Sequence, residues 1–147
     1  MNVLVNIHVH GAFMFTVGGS VIMKLKTGVQ SGSSGKLMAC VDFDNVLMIP
    51  DSPWLGASVA KGAPVPGAKQ FMNEVTKNYR VGIFSSRNFE PGGIAAMKGW
   101  LQSQGFPVSE LEFPTSKSPC FALIDDRAIP FSGTFPTMEE VGRFQQW

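Results

Sequence analysis

Charge is scarce in this chain. Lys, Arg, Asp and Glu make up 16% of its 147 residues and nearly cancel, leaving a formal net charge of +1. That balance excludes a broad electrostatic footprint for nucleic acid, though not a local basic patch. Cysteine is scarce too, with only Cys40 and Cys120. Both fall in apolar runs that read as central strands, so buried free thiols are expected rather than a disulfide, which fits a reducing, cytoplasmic setting. His8 and His10 are the two histidines. They could share a strand face, but no third ligand lies near them in sequence, so they do not make a metal site. No internal repeat is present.

Residues 1–23 lack Lys, Arg, Asp and Glu altogether. The stretch is long enough to be considered for a membrane span. Asn2, Asn6, His8, His10 and several glycines interrupt it, however, and the basic opening of a signal peptide is missing. Val3, Val5, Ile7 and Val9 alternate with Leu4, Asn6, His8 and His10, a strand period. Gly11 and Gly18-Gly19 punctuate the run like turns. A small extension of antiparallel strands over residues 1–26 is therefore expected, not a membrane segment. The Gly/Ser stretch TGVQSGSSGK, residues 27–36, reads as a linker to a body at residues 37–147.

That body alternates strand and helix patterns. Strands are expected at residues 37–43, 80–84, 111–113, 121–124 and 129–131. Residues 66–78 read as a helix with Phe71, Met72, Val75 and Tyr79 along one side. Residues 91–104 read as a second, with Ile94, Met97 and Leu101 on one face and Gly105 able to end it in a left-handed conformation. A last helix spans 137–145, where Thr137 and Glu140 have capping-box spacing. Residues 45–65 form a connection longer than most, which favours a functional role. Alternating strands and helices imply right-handed crossovers and a mainly parallel sheet of the α/β class. Ligands bind such sheets at the carboxyl ends of the strands.

Those ends are where the chemistry gathers. Asp42 and Asp44 close one apolar run, Asp125 and Asp126 close another, and Ser85, Ser86 and Arg87 follow a third. Two strand ends carrying carboxylates, set side by side, can share one hard divalent cation. Mg²⁺ takes oxygen ligands, and Asp42 with Asp125 are the natural pair. A carboxylate beside a phosphorus atom can attack it to form an acyl-phosphate. A second carboxylate two residues on can protonate the leaving oxygen and then deprotonate water. Ser85 can donate to a phosphoryl oxygen, and Lys117 can neutralise developing charge.

The segments VDFDNVL, VGIFSSR and SKSPCFALIDDRA resemble, in order, the four motifs of the haloacid dehalogenase superfamily. The ending IDDRA is similar to that of short members with little or no cap, among them the phosphatase module of polynucleotide kinases. The resemblance implies a Rossmann-like fold of that type and a Mg²⁺-dependent phosphohydrolase acting through an aspartyl-phosphate. Asp42 would be nucleophile and metal ligand. Asp44 would be general acid/base, its carbonyl a further ligand. Ser85, with Ser86 and Arg87, would hold the phosphate. Lys117 would bridge phosphate and nucleophile, and Asp125 would complete the metal site, with Asp126 its outer partner there. The implied substrate is a phosphorylated small molecule or a nucleic-acid end. The alternative is a non-catalytic module of the same fold that binds phosphate and metal.

Two departures from the family pattern stand out. Asn45 takes the place of a frequent Gly, and Ser118 separates Lys117 from Pro119. The connection at residues 45–65 is too short for a large cap, so a small flap and an open site are expected. Arg87 and Arg127 can hold a second phosphate or a nucleic-acid backbone, or pair with the acidic cluster. Trp54 can stack on a base or pack the flap down.

Overall fold

The computed structural model describes residues 35–145, together with the backbone of residues 12–17 and 20–25. In the N-terminal part, β1 (Ala12–Val17) and β2 (Ser20–Leu25) pair antiparallel, Val17 opposite Ser20. The alternating run at residues 3–9 lies outside the described residues, as does most of the Gly/Ser stretch. No helix among the described residues is long and apolar enough to cross a membrane.

The body is built on four parallel strands: β3 (Met38–Val41), β6 (Arg80–Ile83), β7 (Leu111–Glu112) and β8 (Ala122–Ile124), in the order β7-β6-β3-β8. All four residues of β3 are buried. An unbroken apolar run suits a central strand covered on both faces, where alternation would leave polar groups unsatisfied. Between β3 and β6 the chain makes a short antiparallel pair, β4 (Met48–Pro50) with β5 (Gly62–Pro64), and then helix α1 (Ala68–Asn78). Helix α2 (Gly93–Ser103) leads from β6 towards β7, and α3 (Met138–Gly142) follows β8.

One face of the sheet presents Ala39, Val41, Val81 and Ile83, and these pack in one core with Met72 and Val75 of α1 and Met97 and Leu101 of α2. Fully burying the Val, Ile, Leu and Met side chains among them contributes about 1.5–3 kcal/mol each. The rings of Phe43 and Trp100 pack edge to face with centroids 5.3 Å apart. Lys36 closes α1, its Nζ donating to the Lys77 carbonyl at 2.8 Å, where a cation offsets the negative end of the helix dipole. Gly105, at φ +73°, ends α2 in the left-handed conformation.

Several sequence expectations need correction. Residues 129–131 form no strand: Ile129 and Phe131 are exposed, and Pro130 between them has no N–H to give a ladder. Phe71 lies on the exposed side of α1, which buries only the stripe of Ala68, Met72, Val75 and Thr76. Cys120 precedes β8 and is half-buried, whereas Cys40 is buried within β3; both are free thiols. The last helix is shorter than its pattern, although Thr137 and Glu140 do form the reciprocal cap.

Candidate functional site

The register of the sheet sets the site. Cys40 of β3 lies opposite Gly82 of β6 and Leu123 of β8, so the three strands finish together. The Asp42 N–H donates to the Ile124 carbonyl at 2.9 Å and the Phe84 N–H to the Val41 carbonyl at 2.9 Å. Asp42, Ser85 and Asp125 are thereby carried to one edge from three segments remote in sequence.

Carboxylate oxygens of Asp42, Asp125 and Asp126 all lie within 4.8 Å of one another. Opposed ligands on a magnesium ion stand about 4.2 Å apart, and those on the larger calcium about 5 Å. The grouping could therefore hold a metal ion, and its spacing does not single out magnesium. Asp126 is only 4% exposed, and its Oδ1 has no hydrogen-bond partner among the described residues. An unsatisfied buried carboxylate oxygen is costly, and a cation at this point would satisfy it. The other oxygen, Oδ2, accepts weakly from Asn45 Nδ2 at 3.4 Å and faces Arg127 Nε at 3.8 Å. Asp125 Oδ1 accepts from the Arg127 N–H at 2.7 Å, which fixes the turn after β8.

Burial pushes the Asp42 carboxyl up to about 6, and the neighbouring charges of Asp125 and Asp126 add to the rise. Hydrogen bonds from the Phe43 N–H and the Ser85 side chain oppose it without cancelling it. Asn45 adopts φ +61°, a left-handed conformation that Asn tolerates better than most residues. Its N–H donates to the Met48 carbonyl at 2.7 Å. The tight turn after Asp44 thus forms without the glycine frequent in the resembling motif.

Arg87 has a different setting from the one its position after Ser85 and Ser86 suggests. It is 3% exposed, and its Nε and Nη2 donate to the two oxygens of Asp44, each at 2.8 Å. Nη1 donates to the carbonyls of Ala57 at 2.7 Å and Val59 at 2.8 Å. The guanidinium therefore ties the strand end to the flap and pairs with Asp44, which still lines the cleft. Of the two alternatives for Arg87, pairing with the acidic cluster is the one observed. Ser85 is buried and caps the short 3₁₀ turn Ser86–Phe89, with Asn88 reciprocating. Ser86 is exposed on the wall of the cleft.

The cleft has a volume of about 840 Å³. Asp42, Ser85, Asp125 and Asp126 line it at the strand ends, and the flap supplies Trp54, Leu55, Val59 and Lys61. Lys61 and Arg127, which motif spacing did not single out for charge neutralisation, are the lysine and arginine that reach its lining beside Arg87. Lys117 is exposed on the segment between β7 and β8 and does not contribute to that lining. The sequence held a faint signal for Lys61, since it lies in the one connection long enough to fold over the strand ends. No protein-family model, curated protein or solved structure matches this chain.

Proposed function

We propose that this chain is a magnesium-dependent phosphohydrolase of the haloacid dehalogenase type, cleaving phosphomonoesters through an aspartyl-phosphate on Asp42. The observation that carries this reading is the convergence of the Asp42, Asp125 and Asp126 carboxylates, within 4.8 Å, at the end of the central strand. Magnesium held by these carboxylates would offset their repulsion of a phosphate group and polarise it for attack. A pKa near 6 leaves Asp42 ionised at neutral pH but more basic than an ordinary carboxylate. Its oxygen attacks phosphorus, and the bond to the ester oxygen breaks. Ser85 stands beside Asp42 to donate to a phosphoryl oxygen, and Lys61 and Arg127 bring positive charge to the cleft. Asp44 lines the cleft, and each of its oxygens, accepting one hydrogen bond from Arg87, keeps a lone pair through which it would pass a proton to the leaving oxygen and recover one from water.

The test is hydrolysis of an aryl phosphate by the purified chain with and without magnesium. Turnover should require the metal, and Asp42→Asn should reduce it by a factor of about 10³ or more while the fold survives. Equal turnover by the mutant removes the assignment.

The paired state of Asp44 and the position of Lys117 outside the cleft favour a second reading, a non-catalytic module that binds metal and phosphate. Saturable binding of magnesium and inorganic phosphate with no turnover of any ester would select it.

A further inference from the structure

Part of the cleft lining is apolar and open. Trp54 and Leu55 are each 61% exposed and Phe89 is 56% exposed, and all three line the same cleft. Single exposed hydrophobic residues are ordinary on a protein surface, but three large ones converging on one concavity mark a binding surface. The indole of Trp54 is held in place from one side. The Arg87 guanidinium carbon lies 4.4 Å from its ring centroid, a cation–π contact. Arg87 is in turn immobilised by Asp44 and by the carbonyls of Ala57 and Val59. Among the described residues no aromatic ring stacks on Trp54. A fixed indole with an uncovered surface is a stacking platform whose ordering cost is met before any ligand arrives.

We infer that the alcohol portion of the substrate carries a flat, unsaturated ring that stacks on Trp54 while its phosphate lies at Asp42. The inference rests on the phosphohydrolase reading and narrows it to ring-bearing phosphomonoesters. Trp54 is then a specificity-determining residue, and packing the flap onto Arg87 is how it is presented. The cleft volume is in the range of small-molecule sites and admits such an ester whole.

The experiment compares adenosine 5′-monophosphate with ribose 5-phosphate under magnesium. Both release phosphate from a primary sugar hydroxyl, and only one carries a ring system that can stack. The wild-type chain should favour the adenosine ester in kcat/KM by about tenfold or more, the scale of one base stacked on an aromatic side chain. Trp54→Ala should bring that ratio close to one, and Trp54→Phe should keep most of it. A ratio that Trp54→Ala leaves unchanged overturns the inference while the phosphohydrolase reading stands. If neither ester is hydrolysed, aryl phosphate turnover decides that reading and the platform is judged by tryptophan fluorescence. Quenching by adenosine 5′-monophosphate that Trp54→Ala abolishes supports the platform, and its absence in the wild type overturns it.

Discussion

Asp42 pays for its position with a raised proton affinity. Its folded pKa, about 6, exceeds the ordinary 3.8. Below 3.8 the group is protonated folded or unfolded, and its contribution to stability is fully present. As pH rises towards 6 the unfolded chain has already ionised while the folded chain holds its proton, so stability is lost through that window. After allowance for solvent screening, the ionised group costs the folded chain about 2 kcal/mol at neutral pH. Asp42→Asn should therefore raise the urea midpoint of the metal-free chain at pH 7.5, and the gain should vanish below pH 4. Arg87 behaves in the opposite sense. Its removal leaves Asp44 without its partner and two flap carbonyls without a donor. Arg87→Ala should cost about 3 kcal/mol or more by urea unfolding, and Arg87→Lys should recover only part, because an ammonium cannot reproduce the forked contact. The residue types of the site were legible as carboxylates at the ends of apolar runs. The pairing of Asp44 with Arg87 was not, because nothing local to either residue selects between phosphate and carboxylate as partner. The flap packing that buries the guanidinium makes that choice.

The flap is the element on which both the site and its specificity surface depend. It is a short β4–β5 pair, with Ile49 opposite Ala63 and Pro50 opposite Gly62. Gly62 has φ +155°, and a Cβ there would lie 2.0 Å from the Ile49 carbonyl oxygen. Its own carbonyl accepts from the Trp100 Nε1 at 3.0 Å, which docks the flap on α2. Gly62→Ala should loosen the flap before the core: limited proteolysis should cut within residues 50–62 while the far-ultraviolet spectrum of α1 and α2 is retained. Cutting as slow as in the parent would refute this. Strands and helices of the body were readable because their apolar periods are long and uninterrupted, as in Met38–Val41 and in the stripe of Met97 and Leu101. Residues 129–131 misled because an apolar composition outweighed the missing donor of Pro130. The small β4–β5 pair escaped notice because its strands are three residues each and include prolines, with no periodic signal to read.

Across the whole molecule, parallel topology turns separate motifs into one edge. Asp42, Ser85 and Asp125 follow strands that end in register, so their gathering was foreseeable once a parallel sheet was inferred from alternating strands and helices. The segment between β7 and β8 obeys no such rule, and Lys117 sits there on an irregular path that sequence does not specify. The cleft instead receives Lys61 from the flap and Arg127 from the turn after β8. Arg127→Ala should accordingly lower magnesium-dependent phosphate release by about tenfold, the scale of a lost charge-assisted contact, with Lys117→Ala changing it by no more than about twofold. The reverse order of effects would return the charge-neutralising role to Lys117. In the proposed function, three carboxylates from two strand ends grip one divalent ion. Calorimetric titration of the metal-free chain with magnesium tests this most directly. A single saturable site that weakens by at least about tenfold in Asp125→Asn is the predicted result. Absence of binding at millimolar magnesium, or binding that Asp125→Asn leaves untouched, would contradict it.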